Sequence, residues 1–172
     1  MRTAILVAVF AIASMAGVGT AHAGEFSMNG TSCVPDSSAI QANAYFGTGG
    51  TVQHSPSSLT NLVFYCPIAF SDSLTSPTTL SITYRDSTGV GSNFVKAQLI
   101  KMNKTTGGLT TIVTVSSDQA SPSFCDNANN ISVCSNTFSQ AIATTTNYYY
   151  VRVDIVRSST SNQEVLYGVR LF

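Results

Sequence analysis

The residues of this chain that could do chemistry are few, and their spacing points away from catalysis. Two histidines occur, His22 and His54, and His22 falls in a leader segment. His54 sits beside Ser55 and Pro56 in a polar stretch that reads as a solvated loop. Serine hydrolysis needs a nucleophile, a base and an orienting acid, yet no Gly-x-Ser-x-Gly motif is present. Glycosidases need two carboxylates across a cleft. Here Glu25, Asp36, Asp72, Asp86, Asp118, Asp126, Asp154 and Glu164 are scattered, mostly in turns. Aspartate is favoured in turns for backbone reasons alone.

The cysteines are Cys33, Cys66, Cys125 and Cys134. An even set in an exported chain reads as two disulfides. Three pairings exist, and 33–66 with 125–134 is preferred because each joins neighbours in the series. A zinc site is disfavoured, since no spacing is Cys-x-x-Cys and one histidine remains after the leader. Paired sulfur is no nucleophile, so a catalytic cysteine is disfavoured too. No calcium loop, phosphate-binding loop or dinucleotide fingerprint occurs. The sequence therefore implies no catalytic residue, no metal and no cofactor.

Binding is the remaining chemistry. Tyr148-Tyr149-Tyr150 is the aromatic cluster of the chain. Strand alternation buries Tyr149 and leaves Tyr148 and Tyr150 outward, where they could stack on sugar rings or anchor a protein. Covering an outer sheet face is the blander role for the same residues. Tryptophan is absent, which weighs against a carbohydrate-binding module.

The elements that position these residues read as strands. In 148–157 the odd positions Tyr149, Val151, Val153 and Ile155 are apolar; in 164–172 Val165, Tyr167, Val169 and Leu171 are. A period of two means strands with one face on a core. The polar link Ser158–Gln163 suggests that the two form a hairpin, with Arg152 and Asp154 near Arg170. Leu62, Phe64, Cys66, Ile68 and Phe70 share a face, and Pro67 implies either an edge strand or a free N–H side at that point. Further strands are expected at 40–46, at 78–86 with Leu80, Ile82 and Tyr84 inward, and at 93–102 with a bulge near Ile100. Another follows at 109–117 with Leu109, Thr111, Val113 and Val115 on one face, and one more at 132–140. The expectation is an all-β antiparallel sandwich, immunoglobulin-like or jelly-roll, of eight or nine strands with no helix.

Composition and organisation agree with that class. Arg2, the apolar run Ala4–Ala16 and Ala21-His22-Ala23 form a signal peptide over 1–23, so a single domain is expected over 24–172. No later run is long and apolar enough for a membrane-spanning helix. Charged residues make up 9 % of the chain, against roughly 25 % in an average soluble domain. With no basic patch, nucleic acid is excluded as a partner. An outer-membrane barrel is disfavoured, because Arg170 stands where a lipid-facing apolar residue is wanted.

Three pieces of sequence carry a resemblance: the Ala-His-Ala leader end, Cys33-Val34-Pro35 with Tyr65-Cys66-Pro67, and Leu166-Tyr167-Gly168-Val169-Arg170. Together they resemble a loose group of small, uncharacterised secreted proteins of Gram-negative bacteria. That resemblance implies a bacterial source, export and a disulfide-stapled sandwich, and it brings no catalytic residue. A fainter similarity is to pilin and spore-coat-type subunits of the chaperone–usher pathway, echoed by Ala44-Tyr45-Phe46-Gly47. The chain departs from them in its Gly-Val-Arg-Leu-Phe172 ending and in the Cys125/Cys134 pair. The expected function is thus that of an exported, secreted or periplasmic, non-enzymatic sandwich, binding or structural at the cell envelope or outside the cell, with a protein or glycan as the partner to expect. The alternatives are a subunit assembling by strand exchange or a carbohydrate-binding module.

Overall fold

The computed structural model describes residues 25–68, 77–87, 93–118 and 131–172. The leader, Phe70, Cys125 and several connecting segments lie outside these residues. Eleven strands are present among those described: β1 Phe26–Asn29, β2 Val34–Pro35, β3 Ala44–Phe46, β4 Val52–His54, β5 Leu62–Pro67, β6 Thr79–Arg85, β7 Phe94–Asn103, β8 Leu109–Ser116, β9 Ser132–Thr137, β10 Asn147–Val156 and β11 Val165–Leu171. They build two antiparallel sheets. One has the order β3-β4-β11-β6-β9, with β1 also on β11; the other has the order β2-β5-β10-β7-β8. The strands that the sequence did not indicate are β1, β2 and β4, of two to four residues each and too short to leave a periodic signature.

The expected hairpin is not formed. β10 lies between β5 and β7 in the five-stranded sheet, while β11 lies between β4 and β6 in the other. Residues 157–164 cross from sheet to sheet. Alternation tells which residues a strand buries, but not which strand it pairs with. The charge pairs follow the true neighbours. Asp154 meets Arg152 at 2.9 Å and Lys96 at 3.2 Å, and Arg170 meets Glu25 at 2.7 Å.

The 40–46 stretch also departs from expectation. Ser38–Asn43 is a short helix, α1, and only Ala44–Phe46 is strand. The Ser37 side chain caps the helix, its hydroxyl oxygen accepting from the Ile40 N–H at 3.3 Å.

The core lies between the sheets. Leu62, Phe64, Cys66, Val95, Ala97, Leu99, Val151, Val153 and Ile155 reach it from one side, and Val52, Leu80, Ile82, Tyr84, Cys134, Val169 and Leu171 from the other. Each of these side chains removes most of its apolar area from water, the main favourable term in folding. Cys33 is bonded to Cys66, thirty-three residues away, and ties β2 to the buried face of β5. Cys134 is buried on β9. Its expected pairing with Cys125 rests on a residue outside those described.

Two bulges reset the alternation. Between Leu99 and Ile100 the register on β8 jumps past Ile112, from Val113 to Thr111. Val113 and Val115 therefore face the core, while Thr111 and Leu109 turn to the outer face, and Leu109 is exposed. The expected bulge near Ile100 is present, but it removes Leu109 and Thr111 from the inward set. On β11 the register shifts between Leu166 and Gly168, around Tyr167. Leu166 joins the core and Tyr167 does not, opposite to the expected phase. Gly168 is required there by space: a Cβ on it would stand 2.9 Å from the Met28 carbonyl oxygen.

Candidate functional site

The outer face of the five-stranded sheet carries the tyrosines singled out in the sequence. Alternation along β10 buries Tyr149 and turns Tyr148 and Tyr150 outward. Tyr148 is 55 % exposed, and Tyr150 is half-buried. The Tyr148 ring lies under Lys104, with Nζ 4.7 Å from the ring centre. Lys104 Nζ also donates to the Thr144 carbonyl at 2.6 Å. Tyr148 and Tyr150 do not form one ring platform. Tyr150 instead meets Tyr65 of β5 edge-to-face, with ring centres 5.6 Å apart. Those two rings line a shallow hollow of about 290 Å³.

Strand pairing explains the arrangement. One cross-sheet row runs Val34, Tyr65, Arg152, Gln98, Thr114. The next runs Pro67, Tyr150, Ile100, Thr111. Apolar rings and hydrogen-bonding groups thus alternate across one face. Arg152 is held by Asp154, donating from Nε at 3.1 Å and Nη2 at 2.9 Å. Burial, and a hydrogen bond to the Asp36 carboxylate, raise the Tyr65 phenol above its ordinary pKa. The sequence offered no reason to join Tyr65 to Tyr150, because they are distant in the chain and meet only through β5–β10 pairing.

A second place was missed entirely. His54 is not a solvated loop residue; it ends β4 and is 3 % exposed. Glu164 is 1 % exposed. Val165 pairs with Gln53 on one side and Arg85 on the other. Continuing that register sets Glu164 between His54 and Asp86. Two of the carboxylates expected to be scattered, Asp86 and Glu164, are here drawn together at one end of the sandwich. The Tyr167 bulge is the reason, since it puts Glu164 in phase with the core residue Leu166.

Arg157 closes this end. It continues the inward odd phase of β10, a signal present in the sequence. Its guanidinium donates to the carbonyls of Ser58 at 2.7 Å, Ser55 at 2.6 Å, Pro56 at 3.1 Å and Asn162 at 3.3 Å. The His54 Nε2 is 2.9 Å from the Thr60 carbonyl. A carbonyl only accepts, so Nε2 carries the proton and Nδ1 presents a lone pair. Burial, then the Arg157 charge, push His54 down to about 4. Burial, then the nearby Asp86 charge, push Glu164 up to about 7. Asp86 itself accepts from the buried Ser117 hydroxyl at 2.7 Å. A cavity of about 150 Å³ opens here, lined by His54, Glu164, Arg157, Gln53, Thr160 and Gln163 among others. Among the described residues no group of three histidine, cysteine or carboxylate side chains is placed to hold a metal ion.

No protein-family model matches the chain. No curated protein matches it either. Among solved structures it is similar to a carbohydrate-binding module CBM36 in complex with calcium and xylotriose, at 10 % identity and a TM-score of 0.46, covering 86 % of this chain and 99 % of that one. It is also similar to the CBM36-1 domain of a multidomain xylanase from the hindgut metagenome of Trinervitermes trinervoides, at 10 % identity and a TM-score of 0.43, covering 87 % and 97 %. At these values the likeness says nothing of ligand or activity.

Proposed function

We propose that this chain is an exported, non-enzymatic sandwich of jelly-roll type that binds a glycan on the outer face of its five-stranded sheet. The observation that carries the reading is the Tyr65–Tyr150 hollow set beside Arg152 and Gln98. Sugars offer apolar C–H faces and a rim of hydroxyls. A ring pair flanked by fixed donors and acceptors suits both at once. Tyr148, farther along β10, extends the same face.

Export is supported by the leader pattern and by the Cys33–Cys66 bond, which persists in oxidising compartments. The jelly-roll assignment is supported by the strand order. From β4 onward the chain places strands as β4-β11-β6-β9 and β5-β10-β7-β8, so most connections cross between the sheets. The non-enzymatic assignment is supported by the buried histidine. Its Nε2 is held by a carbonyl and its Nδ1 touches no hydroxyl nucleophile. Assembly by strand exchange is disfavoured. The half of β11 that β4 leaves open is filled by the chain's own β1, Phe26 against Leu171 to Asn29 against Gly168.

Affinity electrophoresis of the mature protein through gels holding soluble plant or bacterial polysaccharides tests the reading. Retardation by at least one polysaccharide is expected, falling about tenfold in Tyr65→Ala and Tyr150→Ala with little change in melting temperature. Migration unaltered by every polysaccharide, or retardation indifferent to both substitutions, would sink it.

A further inference from the structure

The lysines of this chain are Lys96, Lys101 and Lys104, and all three fall on β7 or in the turn that follows it. The carboxylates do not follow them. Asp154 answers Lys96 at 3.2 Å and Arg152 at 2.9 Å, toward the far end of the outer face. Asp36 stands beside Tyr65. Among the described residues no carboxylate pairs with Lys101 or Lys104. Positive charge is therefore left unanswered at the Tyr148 end of the five-stranded sheet.

Lys104 is held in place there. Its backbone N–H donates to the Thr146 carbonyl at 3.0 Å, and its Nζ donates to the Thr144 carbonyl at 2.6 Å. Asn103 fixes the turn, its Oδ1 accepting from the Thr105 and Thr106 N–H groups at 2.9 and 3.0 Å. The Lys104 Nζ stands 4.7 Å from the centre of the Tyr148 ring. An ammonium carries three donors, so two remain after the Thr144 bond. Lys104 and Tyr148 are both exposed, and with Ile68, Thr144 and Asn147 they line a hollow of about 270 Å³. Tyr148 lies two residues along β10 from Tyr150, about 7 Å away on the same outer face.

We propose that the glycan taken by this face is an acidic one, a polymer whose sugar rings carry carboxylates, and that Lys104 receives a carboxylate while the Tyr65–Tyr150 pair takes a sugar face. The inference rests on the glycan reading above and names the class of glycan. A neutral polymer covering this end would strip water from an ammonium and return no charge. A carboxylate returns one, and its two oxygens match the two remaining Lys104 donors. A sulfate or phosphate group favours an arginine fork, and the Arg152 fork is already closed on Asp154 through Nε and Nη2. The ammonium is fixed before the ligand arrives, so little further ordering is needed on binding.

Affinity electrophoresis of the mature protein through gels holding alginate, polygalacturonate, galactomannan or dextran sulfate, each against a polymer-free gel, decides the matter. A carboxylated polymer should be bound about tenfold more tightly than the neutral galactomannan, the scale of one charge-assisted hydrogen bond. That preference should shrink as salt rises from about 0.01 to 0.15 M, because surface charges are then screened. Lys104→Gln should remove the preference in a protein that still melts cooperatively, and Lys104→Arg should keep most of it. Lys96→Gln loses the same charge beside Asp154 and should leave the preference unchanged, which separates a local site from net charge. Equal binding of galactomannan and both polyuronates, sensitive to Tyr65→Ala, would overturn the acidic assignment while the glycan reading stands. A preference for polyuronates that survives Lys104→Gln would overturn it as well. Dextran sulfate bound as tightly as the polyuronates, and indifferent to Tyr65→Ala, would reduce the site to bare charge attraction and overturn it too. No retardation by any polymer would sink the glycan reading and this inference with it.

Discussion

Arg157 Nε donates to the Ser58 carbonyl at 2.7 Å, across ninety-nine residues of sequence. The bond joins the end of β10 in one sheet to the segment that follows β4 in the other. With the three companion bonds of the same guanidinium, it makes one side chain the clasp of this end of the sandwich.

Removing that clasp leaves the buried Ser58 carbonyl and three part-buried ones without this donor and opens space where a large side chain stood. Arg157→Met should lower stability by about 3 kcal/mol, the scale for losing charged-donor bonds to buried acceptors. Arg157→Lys should recover only part, because an ammonium cannot spread donors over four carbonyls. Urea unfolding of the three proteins checks both statements. Equal midpoints for parent and Met variant would show the clasp to be idle.

The pH trends that the two buried titratable groups impose on stability run in opposite directions. Glu164 rises from 4.5 to about 7 on folding, so its protonated form suits the fold and stability falls as pH climbs from about 4.5 to 7. His54 drops from 6.5 to about 4, so its neutral form suits the fold and stability falls as pH drops from about 6.5 to 4. The trends oppose each other between about 4.5 and 6.5. Glu164→Gln removes one of them. Its stability should then rise from pH 4 to 6.5 by an amount on the order of 3 kcal/mol, read from denaturant midpoints. A flat profile in that variant would contradict the assignment.

The Cys33–Cys66 bond closes a long loop and ends on a fully buried residue of β5. The chain-entropy estimate for thirty-three residues is about 3.7 kcal/mol. Cys66→Ser should therefore lower the melting temperature more than Cys134→Ser. Non-reducing peptide mapping should recover a Cys33–Cys66 peptide. A Cys33–Cys125 or Cys33–Cys134 peptide would refute the pairing.

Gly168 permits β1 to approach β11. A Cβ there would stand 2.9 Å from the Met28 oxygen, closer than real Cβ contacts come. Gly168→Ala should cost about 1–3 kcal/mol through displaced backbone. Gly49→Ala, which meets nothing nearer than 4.0 Å, is the matched control and should be neutral. Thermal unfolding distinguishes them.

Much of the fold was legible in the sequence because alternation is a local property. Leu62, Phe64 and Cys66, or Tyr149, Val151, Val153 and Ile155, reveal their inward face from spacing alone. The same spacing runs on to Arg157 and buries it. An even set of cysteines likewise indicated disulfides, of which Cys33–Cys66 is formed.

What the sequence could not determine is everything carried by pairing between strands far apart in the chain. Whether β11 folds back on β10 or crosses to the other sheet is invisible to a period of two, because either partner buries the same residues. The bulges at Ile112 and Tyr167 are tertiary events too, and each reverses the face of every residue beyond it. Leu109 turned outward for that reason, and Glu164 turned inward. His54, Glu164 and Asp86 meet only because β4, β11 and β6 lie side by side, and Tyr65 reaches Tyr150 only because β5 pairs with β10. Local spacing determined which residues a strand hides; only the closing of the two sheets decided which of them would stand together.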